Sequence, residues 1–301
     1  MKKTLCKRIC AILVSCMLFV SLLPAESIDY VALGDSISTG YGLDDTDQSF
    51  PNDVAASAAL SLTNLAKDGE TTQSLLEKLK DADSPEIKAV ATADVITVTI
   101  GGNDFMNVLY DFIAAQYNEG KEETAQITGE EVQKILADKT SPLRITVLMA
   151  AMKNFSEFVT SPETITAMQK FQQNFSSIIA TIRSVNPDVL LMVTNLYNPY
   201  VAFPEEMKEI SDVFDAAIVQ INKQIAAGTD SYILLDLYTG FNEMLENTEE
   251  SCCNAYYNSA LDFDLDFHPN DMGHSLISAM VLKEIDTPVP MFALWVNNVD
   301  M

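Results

Sequence analysis

The chain has 301 residues, of which 48% are hydrophobic, and it carries 43 acidic residues against 18 lysines and arginines, a formal charge of −25. Such an acidic balance opposes binding to nucleic acid or to anionic lipid headgroups, because those contacts depend on lysine and arginine. We therefore expect no nucleic-acid partner and no stable binding to anionic membranes. A chain of this length can bury a sizeable core, and α/β proteins of this size often form one domain.

The N-terminus has the layout of a secretory signal. Four cations occur in the first eight residues, an apolar run follows over residues 9–23, and the small Ala25 comes next. The run has 15 residues, fewer than the roughly 20 that span a bilayer. We expect a signal peptide over residues 1–25 and a secreted mature part over residues 26–301, with an uncleaved membrane anchor as the alternative. The mature part has 14 cations against 43 acids, a formal charge of −29.

Five short apolar or β-branched runs have the character of strands, and each is followed by a segment with helical spacing. The runs cover residues 28–33, 62–66, 94–100, 189–195 and 232–235. Their apolar character does not alternate, which indicates that both faces of each strand are buried, as in a parallel sheet covered by helices. The sequence therefore predicts an α/β protein with three layers, an α/β/α sandwich.

Three helices are marked by local signals. Residues 84–86 and 161–163 each read Ser-Pro-Glu, which places a capping hydroxyl before a proline and an acid in the first turn. Residues 204–227 carry apolar side chains at spacings of three and four, which is typical of one amphipathic helix.

The segment over residues 105–160 is too long for an ordinary connection, since strand-to-helix links usually take about 2–6 residues. It has a polar part over residues 118–129 and then Leu148, Met152, Phe155 and Val159 on one helical face. We expect a helical insertion at about 105–160. It is either packed on the core or a cover over a binding cleft.

The end of the first strand offers a candidate nucleophile. Ser36 lies in a turn flanked by Gly34 and Gly40, at the edge where open α/β sheets hold their ligands. Ser36 is either a nucleophile or a polar cap for the next helix. The turn is not the G-x-S-x-G elbow, because Ser38 stands in place of the second glycine, and no Gly-Lys-Ser/Thr makes it a phosphate loop.

The second and third strands end in turns that offer hydrogen-bond donors. Gly69 follows the second strand, and Asn103 comes after two glycines at the end of the third. Acyl transfer needs donors aimed at the oxyanion that forms on the carbonyl oxygen. The N–H groups of Ser36 and Gly69 and the side-chain amide of Asn103 would supply three.

Both histidines of the chain, His268 and His274, lie in the stretch LDFDLDFHPNDMGH over residues 261–274. Its aspartates begin like a calcium loop, but the sixth position is Phe267 and the twelfth is Gly273, where glycine and glutamate are needed. The histidine spacing does not fit a zinc helix, and Pro269 interrupts the backbone. We expect no metal and no cofactor. A proton-transfer role favours His268, which has carboxylates two and four residues before it.

The cysteines indicate neither a disulfide framework nor a metal site. Three of the five cysteines fall in the leader, which leaves Cys252 and Cys253 in the mature part. Neighbouring cysteines rarely pair with each other, so we expect two free thiols and no disulfide framework.

Four short blocks together resemble the SGNH hydrolases, also called GDSL esterases and lipases. The blocks are Gly34-Asp35-Ser36, Gly69, Gly102-Asn103-Asp104 and His268-Pro269-Asn270. The resemblance spans residues 30–285. It implies a five-stranded parallel sheet in flavodoxin-like order, Ser36 as nucleophile, His268 as general base, and Ser36, Gly69 and Asn103 as the oxyanion hole.

One position departs from the family pattern. The orienting aspartate usually stands three residues before the histidine, where this chain has Leu265. We favour Asp266 in that role, with Asp264 as the alternative and a Ser-His dyad also open. Together with the N-terminal pattern, the resemblance implies a secreted serine esterase, lysophospholipase-like or lipase-like, that acts on a small-molecule, lipid or glycan ester. The alternatives are a carbohydrate O-acetylesterase of the same fold and a secreted binding module without turnover.

Overall fold

The computed structural model describes residues 27–259 and 262–285; the expected signal peptide over residues 1–25 lies outside them. A five-stranded sheet forms the middle layer. Its strands are β1 (Asp29–Gly34), β2 (Ser61–Asn64), β3 (Val95–Thr99), β4 (Leu190–Thr194) and β5 (Ile233–Leu235). All neighbouring strands are parallel, in the order β2-β1-β3-β4-β5. The predicted five-stranded parallel sheet in flavodoxin-like order is confirmed.

Helices cover both faces of this sheet. In chain order they are α1 (Ser36–Thr39), α2 (Phe50–Ala58), α3 (Thr72–Lys80), α4 (Pro85–Val90), α5 (Gly102–Asn118), α6 (Gly129–Ala137), α7 (Arg144–Ala151), α8 (Pro162–Val185), α9 (Lys208–Ala226), α10 (Leu237–Thr248) and α11 (Asp271–Glu284). Short 3-10 turns lie at Thr46–Gln48, Glu123–Ala125, Phe155–Thr160 and Glu205–Met207. Within the described ranges, no helix combines the length and apolar character needed to cross a bilayer.

The two faces of the sheet build two apolar cores. Along β1, Val31 and Leu33 point into a core shared with helices α5, α8 and α9. Tyr30 and Ala32, between them in sequence, point into a second core shared with α2 and α11. Because successive strand residues face opposite sides, continuous burial of these four residues requires cover on both faces. This is the physical reason for the unbroken apolar run of β1. The burial predicted for both faces of the second strand is wrong, because β2 lies at the edge of the sheet and three of its four residues are exposed.

Helix boundaries follow the local signals closely, with one shift. The Ser84 and Ser161 side chains accept hydrogen bonds from the backbone N–H groups of Ile87 and Thr164, and the two predicted helix starts are confirmed. The helix predicted from residue 204 begins at Lys208 instead, because Pro204 is extended and leads into the 3-10 turn.

The segment over residues 105–160 contains most of α5, then α6, α7 and a 3-10 turn. The single helical face predicted from residue 148 to residue 159 is wrong. Helix α7 ends at Ala151, and Asn154 takes a left-handed backbone conformation with φ 56°. The turn that follows buries Phe155 and Phe158 against Phe105 and Phe214.

Four apolar residues within helix α7 or directly beside it are exposed. The exposed residues are Leu143, Ile145, Met149 and Met152. We call these four residues the α7 patch.

A small hairpin leads the chain into the stretch that holds the two histidines. Its strands β6 (Tyr256–Ser259) and β7 (Asp262–Asp264) are antiparallel. The hairpin connects α10 to the start of α11. It therefore carries the aspartate run to the sheet edge where β1 ends.

Candidate active site

The turn after β1 brings Ser36 to the carboxyl edge of the sheet. Gly34 pairs with Thr99 at the end of β3, and a side chain at residue 34 would place its Cβ 1.8 Å from the Thr99 carbonyl oxygen. Only glycine allows the two strand ends to approach so closely. Ser36 then opens α1, which is four residues long.

Asp35 holds this turn in place. Its carboxylate accepts hydrogen bonds from the Ile37 N–H, at 3.2 Å, and from the Thr99 hydroxyl, at 2.9 Å. Burial raises the pKa of Asp35 to about 7, although the hydrogen bond from Thr99 opposes the shift. The aspartate of the first block thus caps α1 and ties it to β3, and it does not contact the histidine ring.

Ser36, His268 and Asp266 form a chain of hydrogen bonds. The Ser36 Oγ lies 3.0 Å from Nε2 of His268, and Nδ1 of the same ring lies 2.5 Å from Oδ1 of Asp266. Since an ionised carboxylate can only accept, Nδ1 carries the proton and Nε2 is free to accept one from the serine. This arrangement allows a serine to lose its proton to a histidine as it attacks a carbonyl carbon.

The neighbouring carboxylates of the aspartate run are engaged elsewhere. Asp264 pairs with Lys139 and lies 3.9 Å from the Arg144 guanidinium, while Asp262 accepts a hydrogen bond from Asn258 at 3.0 Å. The structure therefore brings Asp266, and not Asp264, to the histidine ring.

The charged form of Asp266 is favoured where it lies. Burial raises the pKa of this carboxyl, but the hydrogen bond from the His268 ring, the charge of that ring and the His268 N–H outweigh burial, so the pKa is lowered. An ionised Asp266 holds the imidazole in the tautomer that leaves Nε2 free.

Two tyrosines from the loop after β4 hold the backbone around Asp266. The Tyr197 hydroxyl donates to the Phe267 carbonyl at 2.9 Å, and the Tyr200 hydroxyl donates to the Leu265 carbonyl at 3.0 Å. Burial raises the pKa of both hydroxyls, so they remain donors. Sequence reasoning missed these residues. The signal was present, since Tyr-Asn-Pro-Tyr follows the fourth strand at the same sheet edge.

The predicted oxyanion donors lie in the turns after β2 and β3. The Asn103 side-chain amide donates one hydrogen bond to the Glu70 carbonyl at 3.0 Å, which joins the two turns. Asp104 reinforces this connection by accepting from the N–H of Thr72 at 2.9 Å. A side chain built at Gly69 would meet no atom within 4 Å. Among the described residues, the second N–H of the Asn103 amide has no hydrogen-bond partner.

His274 lies apart from this chain of hydrogen bonds. It is fully buried in α11, and its Nδ1 accepts the N–H of Phe50 at 3.2 Å, the first residue of α2. Ser49, the residue before α2, makes no side-chain cap of its own. His274 therefore caps a helix that is distant in sequence and does not take part in the hydrogen bonds of Ser36.

The two cysteines are free thiols, and both are buried. Burial raises the pKa of Cys252 to about 12 and holds the pKa of Cys253 well above its usual range. Neither thiol is ionised at neutral pH, so neither is a competing nucleophile. Within the described residues, no group of three His, Cys, Asp or Glu side chains could hold a metal ion.

The sequence and the fold both have known relatives. The model of the GDSL-like Lipase/Acylhydrolase family matches residues 32–276. The uncharacterized protein YpmR of Bacillus subtilis (strain 168) is 26% identical over 269 residues, which cover 86% of this chain and 82% of that protein.

Two solved structures are similar in fold. The lipase Lip_vut3 from a goat rumen metagenome has a TM-score of 0.53 and 18% identity, with 88% of this chain and 100% of that chain covered. Phospholipase A1 from Streptomyces albidoflavus NA297 has a TM-score of 0.53 and 20% identity, with 86% and 98% covered.

Proposed function

Because the chain belongs to the GDSL-like lipase/acylhydrolase family and is therefore an ester-hydrolysing serine hydrolase, we propose that Ser36 is its nucleophile and His268 its general base. The observation that carries this proposal is the hydrogen-bonded chain from the Ser36 hydroxyl through the His268 ring to Asp266. The buried Cys252 and Cys253 offer no alternative nucleophile at neutral pH.

The reaction proceeds in two steps. Ser36 Oγ attacks the ester carbonyl carbon while Nε2 of His268 takes the hydroxyl proton, and the same proton then goes to the departing alcohol. The acyl group is now bonded to Ser36. Water attacks the acyl-enzyme with His268 again as base, which releases the carboxylic acid and returns the proton to Ser36.

Three donors stabilise the oxyanion formed in each step. They are the N–H groups of Ser36 and Gly69 and the free N–H of the Asn103 amide. Donors of this kind act on charge that exists only in the transition state and its neighbouring intermediates. Truncation of Asn103 to alanine is expected to lower kcat by about 10²- to 10³-fold.

Replacement of the nucleophile tests the proposal directly. The mature protein should cleave p-nitrophenyl esters and take up a fluorophosphonate probe at residue 36, and Ser36→Ala should lose both properties. Ser177→Ala is a matched control, because its hydroxyl lies on α8 and bonds only the Gln173 carbonyl in the described structure. Equal turnover by wild type and Ser36→Ala would overturn the assignment.

We further propose that the acyl group is that of a lipid-like ester, so the enzyme is lysophospholipase-like or lipase-like. Two observations support this proposal: the α7 patch leaves four apolar residues uncovered, and the similar folds include a lipase and a phospholipase A1. Acetyl, octanoyl and palmitoyl p-nitrophenyl esters separate the possibilities. A rise in kcat/KM from acetyl to octanoyl is expected, and a steep preference for acetyl would contradict it.

Secretion is also part of the proposal, and it rests on the charged and apolar pattern of residues 1–25. Expression of the full chain in a secreting bacterial host should yield protein in the medium that starts at Glu26. Recovery of the uncut chain in the membrane fraction would show an anchor instead.

A further inference from the structure

The amide of Asn254 reaches the far side of the Asp266 carboxylate. Its Nδ2 donates to Oδ2 of Asp266 at 3.3 Å, whereas the other carboxylate oxygen, Oδ1, faces the His268 ring. The same Nδ2 donates to the Gly42 carbonyl at 3.1 Å. Both hydrogens of one side-chain amide are therefore engaged, one by the carboxylate and one by the loop that follows Ser36.

The backbone of Asn254 is fixed to the backbone of His268. The Asn254 N–H donates to the His268 carbonyl at 2.9 Å, and the Asn270 N–H donates to the Cys252 carbonyl at 3.0 Å. Cys253 and Pro269 form an antiparallel bridge between these two bonds. Displacement of Asn254 would therefore require movement of the chain that carries the histidine.

Close packing at Gly42 holds the amide in this position. Gly42 has φ +95°, and a Cβ there would lie 2.7 Å from Asn254 Nδ2 and 3.0 Å from His268 Cβ. A residue without a side chain is required for the loop to come so close. The amide is consequently enclosed between the loop after Ser36 and the segment that carries Asp266 and His268.

We propose that Asn254 is a positioning residue, which rests on the roles proposed for Asp266 and His268: its amide fixes the rotation of the Asp266 carboxylate so that Oδ1 faces the histidine ring. A carboxylate turns about its terminal bond with little restraint unless both oxygens have partners. With Oδ2 bound to Asn254, Oδ1 remains directed at Nδ1. The hydrogen bond from Asn254 also contributes to the lowered pKa of Asp266.

A second asparagine in the same segment provides a matched control. The Asn258 Nδ2 donates to the Asp262 carboxylate at 3.0 Å, an exposed pair on the β6-β7 hairpin. Asn254→Ala and Asn258→Ala therefore each remove one amide that bonds one aspartate. Only the first of these aspartates contacts the histidine.

Steady-state kinetics on a p-nitrophenyl ester tests the proposal. Asn254→Ala should lower kcat by about 10- to 10²-fold with KM within about twofold of wild type, because misplacement of a reacting group acts on the chemical step. Asn254→Asp keeps the size, removes the donor and places a second carboxylate beside that of Asp266, so it should lose at least as much. Asn258→Ala should stay within about twofold of wild type in both constants.

The His268 Nδ1 proton supplies an independent signature in proton NMR spectra. In wild type this proton lies in a short hydrogen bond and should resonate far downfield, and both Asn254 variants should weaken or shift that resonance. An unchanged resonance together with wild-type kcat would overturn the proposal. If Asn254→Ala does not fold, Asn254→Asp decides the question, since it preserves the shape of the side chain.

A double-mutant cycle distinguishes positioning from general structural support. If Asn254 acts through Asp266, then Asn254→Ala should lower kcat by less than about twofold when Asp266 is already replaced by asparagine. The same loss in both backgrounds would overturn the proposal. Turnover that survives Ser36→Ala would instead overturn the proposed function, so the two failures are distinguishable.

Discussion

Three aspartates at alternate positions, Asp262, Asp264 and Asp266, have three different sets of partners. Only Asp266 bonds the His268 ring. We expect Asp266→Asn to lower kcat by up to about 10⁴-fold, because an amide no longer favours the required tautomer of the ring. Asp262→Asn and Asp264→Asn should leave kcat within about threefold of wild type. Steady-state kinetics of the three variants checks this prediction.

A large loss in Asp264→Asn with little effect in Asp266→Asn would assign the orienting role to Asp264. Unfolding midpoints in urea serve as the control. Asp264→Asn removes the partner of Lys139 and Arg144, so its effect should appear in stability and not in turnover.

The buried His274 contributes to stability in a way that depends on pH. Burial and the nearby His268 lower the pKa of His274 to about 4 from its usual value of 6.5. Between these values the unfolded chain binds a proton at His274 that the folded chain does not, so the contribution of His274 to stability falls as the pH falls from 6.5 to 4. The contribution reaches up to about 3 kcal/mol. The raised pKa of Asp35 acts with the opposite sign, so the two contributions are separated by changing His274 alone.

His274→Asn should remove this part of the pH dependence, since an asparagine oxygen accepts the Phe50 N–H without titrating. Urea unfolding at several pH values between 4 and 7 measures the slope of stability in both proteins. Parallel slopes for wild type and variant would contradict the prediction.

At the residue scale, the sequence predicted which residue types meet at the site but not every partner. Ser36, Gly69, Asn103 and His268 follow strand ends or a block of specific composition. Asp266 could only be favoured over Asp264, because their distinction depends on Lys139 and Arg144, cations more than a hundred residues upstream.

A partly buried ion cluster connects the turn after β2 to two helices. The Lys78 ammonium in α3 bonds the carboxylate of Glu70 and lies 3.3 Å from that of Glu86 in α4. Both glutamates are buried. Lys78→Met removes the charge while it keeps most of the stem, and it should destabilise the fold by about 3 kcal/mol, because two carboxylates lose their partner. Chemical denaturation measures the difference.

Lys88→Met is the matched control for this cluster. Lys88 lies 3.5 Å from Asp83, whose side chain is 98% exposed. A pair in water contributes little, so the change should cost less than about 1 kcal/mol. Equal decreases in the free energy of unfolding for the two lysine variants would show that the Lys78 cluster stabilises the fold no more than an exposed ion pair does.

Helices and strands could be predicted from the sequence where the local residue signals and the pattern of burial indicate the same element. Strands β1, β3 and β4 are apolar runs because both of their faces are covered, whereas the edge strand β2 is largely exposed. The sequence did not predict the break after α7. Asn154 turns the chain so that Phe155 and Phe158 pack against Phe105 and Phe214. Hydrophobic periodicity reports only local spacing, so it cannot indicate contacts with residues distant in sequence.

The charge of the whole molecule opposes its own compactness. With a formal charge of −25, the folded chain repels itself over distances that salt shortens, from a Debye length of about 30 Å at 0.01 M to about 10 Å at 0.1 M. If screening by salt raises the free energy of unfolding by about 1 kcal/mol, Tm should rise by about 2–4 °C. Calorimetry in NaCl and in KCl checks this, and equal rises indicate screening. A lower Tm in salt would contradict it.

The hydrogen bond between Ser36 and His268 joins residues 232 positions apart, and it depends on α11, which packs beside α2. During synthesis from the N-terminus, the proposed nucleophile Ser36 is made early, and the proposed base His268 is made more than 200 residues later. Contacts of such sequence separation form slowly and late in folding. The nascent chain is therefore expected to hydrolyse no ester until α11 has packed beside α2, and the onset of hydrolysis would report that packing step.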